Sequence, residues 1–343
     1  MKKISLIIPF YNNAPSLART LESVWKANDD SLEVIVVDDA SAVGVDGVLD
    51  LHRVRYIRVD KNSGPGVARN QGAAAATGEI LAFTDSDCIV LEDWFVKIRS
   101  AMEDPAVVAV AGGYSDAYAK SLVSWARFLE ARHYHQKERG LVNSFVAANF
   151  AVRKEVFEEV GGFPPERLSE DLLLGVKLRA KGFGVLWLPD LKVGQYFRPT
   201  FFSYFKQQFF WSHGVAVISA RYPQTQGVGW SVRRFPLVLQ LVLEMLLLIL
   251  PFFLRGQVLL IGAGTIVAGL FAANLPLMSN VAMHWSWGKA LGVGLIIVFG
   301  RNPAWLLGCL WALVRRPEVM IPGLFKIIRD KIFPVPSGLS AKG

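Results

Sequence analysis

Two carboxylates on alternate residues, Asp85 and Asp87, follow the apolar run Ile80–Phe83. Hard divalent cations take oxygen ligands, and Mg²⁺ commonly joins one or two carboxylates to substrate phosphates. An ion held there would neutralise charge growing on a departing phosphate group. The same Asp-x-Asp spacing also serves ordinary turns. A second acidic pair, Asp38-Asp39, closes the apolar run Val34–Val37. Its readings are a solvated turn or a carboxylate that accepts hydrogen bonds from a base or ribose. The segment NSGPGVARNQG, residues 62–72, adds Gly64 and Gly66 for close backbone approach and Arg69 to pair with phosphate. It has neither a P-loop lysine nor the spacing of a dinucleotide fingerprint. A third acidic pair, Glu170-Asp171, stands in the first turn of the helical pattern Ser169–Lys181. Acids there complement the helix dipole. A carboxylate kept ionised by that dipole also suits a general base acting on a hydroxyl.

Other chemistries find less support. His133, His135, His213 and His284 have no metal-ligand spacing with neighbouring cysteines or acids. No nucleophile elbow with a Ser-His-Asp set occurs, which disfavours a hydrolase. The two cysteines, Cys88 and Cys309, make neither a disulfide framework nor a zinc pattern. They fit a reducing compartment.

The elements that must position these residues alternate in type. Ile4–Pro9, Val34–Val37, Val54–Val59 and Ile80–Phe83 are apolar, β-branched runs. Pro15–Lys26 and residues 65–76 between them are helix-compatible. Lys2 and Lys3 before Ile4–Phe10 imitate a secretory leader, but Pro9 and the following Tyr11-Asn12-Asn13 indicate a buried first strand instead. Such alternation predicts an α/β domain with a mostly parallel sheet covered by helices on both faces. Ligands bind such sheets beyond the carboxyl ends of the strands. Tyr11-Asn12, Asp38-Asp39 and Asp85-Ser86-Asp87 all fall there, which marks a nucleotide site. Further on, 121–139 reads as an amphipathic helix and 143–152 as strand-like. A turn follows at VGGFPP, residues 160–165, then a helix over 169–181 with Ser169 as N-cap candidate, and a short strand over 184–189.

The chain after residue 200 differs in kind. Phe201–Trp211 is strongly aromatic, as at a membrane–water interface. Phe235–Leu254 and Val258–Met278 match the ~20 apolar residues that cross a bilayer. Residues 290–300 and 304–314 are shorter and broken by Arg301-Asn302-Pro303, consistent with one kinked span, two half-helices or a re-entrant hairpin. Residues 233–343 hold 11 Lys or Arg and 3 Asp or Glu, which accounts for the whole net charge of +8. The mean hydropathy is +0.34. Basic residues beside apolar spans favour contact with anionic lipid on the cytoplasmic side, and a soluble basic stripe for nucleic acid is absent. Basic flanks on one side require an even number of crossings: two spans with an interfacial hairpin, or four short spans. The expected domains are 1–200, an interfacial linker at 201–234, membrane-embedded helices at 235–316 and a basic amphipathic segment at 317–343.

In order and spacing, ISLIIPFYNN (4–13), EVIVVDDAS (33–41), NSGPGVARNQG (62–72), GEILAFTDSDC (78–88), VGGF (160–163) and SEDLLLGVKLRAKG (169–182) resemble the family-2 glycosyltransferases of GT-A fold. The resemblance covers roughly residues 1–200. It implies that Pro9 and Tyr11 border the nucleotide base, that Asp39 or Asp38 holds base or ribose, and that Arg69 lies near the donor nucleotide. Asp85 and Asp87 would hold Mn²⁺ or Mg²⁺ and the diphosphate. Asp171, with Glu170 beside it, would be the catalytic base of an inverting transfer. The expected donor is a nucleotide-sugar, a UDP-sugar by family frequency. The expected acceptor is a lipid-linked or membrane-proximal glycan, with polyprenyl phosphate as the near alternative. A catalytically silent nucleotide-sugar-binding scaffold is the alternative of another class. The expected place is the cytoplasmic membrane, with the catalytic domain facing the cytoplasm. Two departures stand out. Many relatives have a histidine that helps bind metal where this chain reads Val193-Gly194-Gln195. Gln207-Gln208-Phe209-Phe210-Trp211 has Phe in place of the Arg of the processive Gln-x-x-Arg-Trp motif, which disfavours a processive synthase.

Overall fold

The computed structural model describes residues 2–27, 29, 31–42, 45, 53–115, 118, 120–135, 140–142, 144–167, 169–222, 235–284 and 286–323. The chain divides into two compact units, one of residues up to Thr200 with Leu277–Val293, the other of Phe201–Pro276 with the chain from Gly294. Residues 223–234 of the expected linker and 324–343 of the expected amphipathic segment lie outside the described residues.

The first unit is built on a nine-stranded mixed sheet. Its strands are β1 (Ile4–Phe10), β2 (Leu32–Asp38), β3 (Arg55–Arg58), β4 (Ile80–Phe83), β5 (Cys88–Val90), β6 (Ala109–Ser115), β7 (Leu141–Val142), β8 (Phe150–Arg153) and β9 (Val185–Gln195). They lie in the order β3-β2-β1-β4-β8-β6-β9-β5, with β7 pairing β9. β3, β2, β1 and β4 are mutually parallel, as the βα alternation requires. The second half adds antiparallel pairs, β8 with β4 and β6, and β5 with β9.

Strand side chains alternate between faces, and β1 shows both. Ile4, Leu6, Ile8 and Phe10 join Leu17, Leu21 and Val24 of α1 (Ala14–Lys26) and Trp94 and Ile98 of α3 (Trp94–Ala101). Ile7 joins Ala68 and Ala73 of α2 (Pro65–Ala75), and that face also holds Phe157 of α5 (Lys154–Glu159) and Leu174 of α6 (Glu170–Ala180). The small residues of α2 set its distance from the sheet. A Cβ on Gly72 would lie 2.5 Å from the Ile7 side chain.

The region 143–152 departs from the strand-like expectation. Among its described residues only Phe150–Val152 belong to a strand, and Ala147–Asn149 form a single 3₁₀ turn. The cause is Asn149, wholly buried, which accepts from the Trp94 indole at 2.8 Å and donates to the carbonyls of Gly113 and Leu191. Filling those bonds turns the backbone away from a ladder. The Ser169 side chain makes no capping bond, because Ser169 sits in the left-handed region at φ 63°.

In the second unit, α7 runs from Phe201 to Arg221, longer than the aromatic stretch alone. α8 (Phe235–Phe253), α9 (Gly256–His284), α10 (Trp287–Ile296) and α11 (Asn302–Arg315) follow, the stretch Leu277–Val293 of α9 and α10 belonging to the first unit. Gly256–Met283 and Trp287–Arg315 are each long and apolar enough to cross a membrane. Of the three readings for 290–314, the structure has one continuous helix. Pro303 has no N–H to give, and a π turn at Ile297–Arg301 absorbs the break, the Asn302 N–H reaching back to the Ile297 carbonyl.

Within this unit Arg301 is buried among amides. It donates to Gln240 of α8 at 2.5 Å, to Asn302 at 2.8 Å and to Asn274 of α9 at 3.4 Å. Arg301→Met would remove the donor these buried amides share, at a cost of about 1–3 kcal/mol. Thermal melts in detergent should show the loss.

Candidate active site

The acidic pairs found in the sequence gather beyond the carboxyl ends of β1, β2 and β4. Each arrives with a different set of supports.

Asp38 and Asp39 brace the backbone. Asp38 is wholly buried and accepts from the Ser41 N–H at 2.8 Å, the Tyr56 hydroxyl at 2.6 Å and Arg58 at 2.8 Å. Burial opposes its charge, but these bonds outweigh burial and hold its pKa below the ordinary carboxylate value. Asp39 accepts from the N–H groups of Ser63 and Gly64, both at 2.8 Å. It thereby fixes the glycine-rich loop that opens α2. Pro9 is buried in β1, and Tyr11, just beyond that strand, is half exposed. Asn12 and Ala40, at φ 56° and 59°, are two of the three described non-glycine residues in the left-handed region, and Ser169 is the third. All three flank the acidic pairs, where backbone strain of order 1–3 kcal/mol each is held by surrounding bonds. The Asn12 N–H donates to the Ser41 hydroxyl, and the Asn12 amide oxygen accepts from Ala42.

Arg69 joins the other two pairs. Only 3% exposed, it donates to Asp85 at 2.6 Å and to Glu170 at 2.8 Å, and its guanidinium lies 5.3 Å from the Phe163 ring centre. The planar fork of arginine can serve two carboxylates at once. Close packing of α2 and α6 makes the bridge possible: a Cβ on Gly66 would lie 3.1 Å from the Pro164 carbonyl and 3.2 Å from Glu170. Asn70 clamps the VGGF turn, accepting from the Phe163 N–H at 2.9 Å and donating to its carbonyl at 2.7 Å.

Asp85, Asp87 and Cys88 each place a ligand atom within 4.8 Å of the others. The carboxylate oxygens suit a hard divalent ion. Cys88 is wholly buried in the apolar core, and burial drives its thiol pKa well above the ordinary value. That favours a core role over ligation. Asp87 is raised to about 6, first by burial and then by the Asp85 charge, with the Gln195 amide at 3.5 Å and Arg198 opposing. Asp171 is raised to about 7, again by burial first and the adjacent Glu170 second. A base poised near neutrality is matched to proton removal at physiological pH.

Gln195 reaches Asp87 because β5 and β9 pair antiparallel with Cys88 opposite Gln195. That pairing is a long-range contact, and spacing along the chain could not reveal it. The bracing by Tyr56 and Arg58 was missed for the same reason. Asn149 carried only a local apolar signal.

Residues 5–161 match the family model described as glycosyl transferase family 2. These residues belong to that family. Among curated relatives, the family-2 region is similar to glycosyltransferase AglE of Haloferax volcanii, 29% identical over 48% of this chain and 57% of that protein. It is also similar to the succinoglycan biosynthesis protein ExoO of Rhizobium meliloti, 32% identical over 44% of each chain. The pre-mycofactocin glycosyltransferase of Mycobacterium tuberculosis is 27% identical over 65% of this chain and 48% of its own. The chain thus spans about half the length of the curated relatives it matches. Among solved structures, the mannosyltransferase PcManGT from Pyrobaculum calidifontis, in complex with GDP-Man and Mn²⁺, superposes with a TM-score of 0.54. At 18% identity, covering 96% of this chain and 88% of that one, it shares this chain's fold. The architecture is GT-A.

Proposed function

We propose that the protein transfers a single sugar, with inversion, from a nucleotide-sugar donor to a hydroxyl of a lipid-linked or membrane-proximal glycan. The observation that supports this most directly is the Arg69 bridge, which holds the donor-side carboxylate Asp85 and the base-side carboxylate Glu170 in one buried group. A donor diphosphate and an acceptor hydroxyl brought there would lie in reach of different members of the same cluster.

In this reading Asp85 and Asp87 hold Mn²⁺ or Mg²⁺. The ion supplies charge neutralisation for the departing nucleoside diphosphate. Gln195 completes the set from β9: its amide, turned so that oxygen faces Asp87, offers a neutral ligand where relatives often have histidine. Asp171 takes the acceptor proton as the hydroxyl oxygen attacks the anomeric carbon from the face opposite the leaving diphosphate. Glu170 stays paired to Arg69 and keeps Asp171 from ionising too readily. Asp39, with Tyr11 and Pro9, borders the base and ribose of the donor, and a UDP-sugar is the expected one. The two long apolar helices, Gly256–Met283 and Trp287–Arg315, would hold the protein at the bilayer that carries the acceptor's lipid, and the basic balance of residues 233–343 favours a cytoplasmic membrane face.

The test is turnover of a nucleotide-sugar panel with Mn²⁺ or Mg²⁺ in nanodiscs, with glycolipid acceptors. Absence of donor consumption across a broad panel would instead favour a silent nucleotide-sugar-binding scaffold. Gln195→Ala should raise the Mn²⁺ concentration for half-maximal activity by about tenfold, the order seen when the groups around a metal are lost. An unchanged Mn²⁺ titration would remove Gln195 from the ligand set.

A further inference from the structure

Beside the Asp87 end of this cluster, cations from separate parts of the chain converge on one aromatic ring. The Tyr196 N–H donates to the Asp87 carbonyl at 3.3 Å, so the ring is anchored one residue from Gln195. The Arg19 guanidinium, from α1, lies 4.8 Å from the Tyr196 ring centre, and the Lys120 ammonium lies 5.6 Å from it. Tyr118 packs edge-on against the same ring at 5.4 Å. Arg19, Lys120 and Arg198, two residues past Tyr196, are all exposed.

A ring face attracts one cation readily, by about 0.5–1 kcal/mol at exposed sites. A second cation at the same ring adds to the positive potential there, which favours an anionic ligand. Among the described residues, no carboxylate pairs with Arg19 or Lys120 within salt-bridge distance; Arg19 donates only to the Ser16 hydroxyl, at 2.9 Å. Arg19 and Lys120 thus have no carboxylate partner among the described residues, and they sit on the Asp87 side of the cluster, whereas Arg69 and Glu170 sit on the Asp85 side.

We propose that Arg19, Lys120 and the Tyr118–Tyr196 shelf form a subsite for a phosphate-bearing lipid headgroup, that of the acceptor. Arg19 and Lys120 would each give charge-assisted hydrogen bonds to phosphate oxygens, and the tyrosine rings would pack the first apolar atoms of the lipid. The assignment rests on the glycosyl-transfer reading for its choice of acceptor. Its chemistry, a phosphate ester on an apolar chain, is shared by bilayer phospholipids.

The experiment is calorimetric titration of the full chain in maltoside micelles with geranyl diphosphate, without divalent metal, for the wild type and for Arg19→Gln/Lys120→Gln. The double variant should bind geranyl diphosphate at least about tenfold more weakly, a loss that two charge-assisted bonds readily exceed. Binding of UDP with Mn²⁺, measured separately, should be unchanged and shows that the variant is folded. Equal geranyl diphosphate affinity in both proteins, or none in either, overturns the subsite. Flotation with phosphatidylglycerol vesicles separates the two sources. If the variant loses vesicle binding while geranyl diphosphate binding stays intact, the cations serve the bilayer and the acceptor assignment fails. The glycosyl-transfer reading fails on a different result, the absence of metal-dependent donor binding in the wild type.

Discussion

Asp171→Asn should lower turnover by about 10²–10⁴-fold, the range that positioned general bases contribute, while donor and metal still bind. The amide keeps the shape of the carboxylate and cannot take a proton. The wild-type pH profile should carry the same signature. With Asp171 raised to about 7, kcat/KM should fall as pH drops through neutrality, because the base becomes protonated. Its pKa lies above the unfolded value, so ionising it also weakens the fold. Stability should therefore decline as pH rises between about 4 and 7, the interval in which the native state binds the extra proton. Steady-state rates and denaturation midpoints across that interval check both. Should the Asn variant keep full turnover with intact metal binding, the acceptor needs no base. A polyprenyl phosphate, already an anion, would then replace the hydroxyl as the nucleophile.

Arg69→Met should produce the largest loss of stability in the first unit. It removes the one cation that bridges Asp85 and Glu170 and leaves two carboxylates facing each other. Breaking buried pairs in this way costs about 3–5 kcal/mol. The low end applies here because a third of the Asp85 side chain meets water. Urea denaturation should show a lower midpoint with an unchanged slope. Arg69→Lys should recover little, since a single ammonium does not span both partners as the guanidinium fork does. Asp85→Asn in the Arg69→Met background should restore part of the loss by removing one of the opposed charges. A midpoint equal to that of the wild type would show that the pairs contribute nothing to the fold.

The parallel half of the sheet was legible because its strands are short apolar runs with the helical stretches of α1 and α2 between them, so every signal is local. Asp38, Asp39, Asp85 and Asp87 were legible as candidates for the same reason: strand ends are visible in sequence. What the carboxylates touch was not. Asp38 is satisfied by Tyr56 and Arg58, and Asp87 meets Gln195 across more than a hundred residues. β5 escaped notice, and β8 and β9 were read only as strand-like stretches with other bounds, because their order and antiparallel pairing depend on contacts no local period encodes. In the second unit, the interruption at Arg301-Asn302-Pro303 was visible, but its outcome depended on a π turn and on Gln240 and Asn274 to receive the arginine.

The closeness of α2 to β1 and α6 has a further effect, on how substitutions in this protein would be interpreted. A methyl group on Gly72 would lie 2.5 Å from the Ile7 side chain and must displace it, whereas one on Gly66 needs Pro164 and Glu170 to give by only a few tenths of an ångström. A saturation library scored by growth or activity would therefore mark Gly72 as intolerant alongside Asp85 and Asp171, although its constraint is packing against the sheet. Replacements at Gly72 would be rescued by a smaller residue at position 7. No partner change would rescue Asp171, and such paired libraries would separate residues that shape the site from those that act in it.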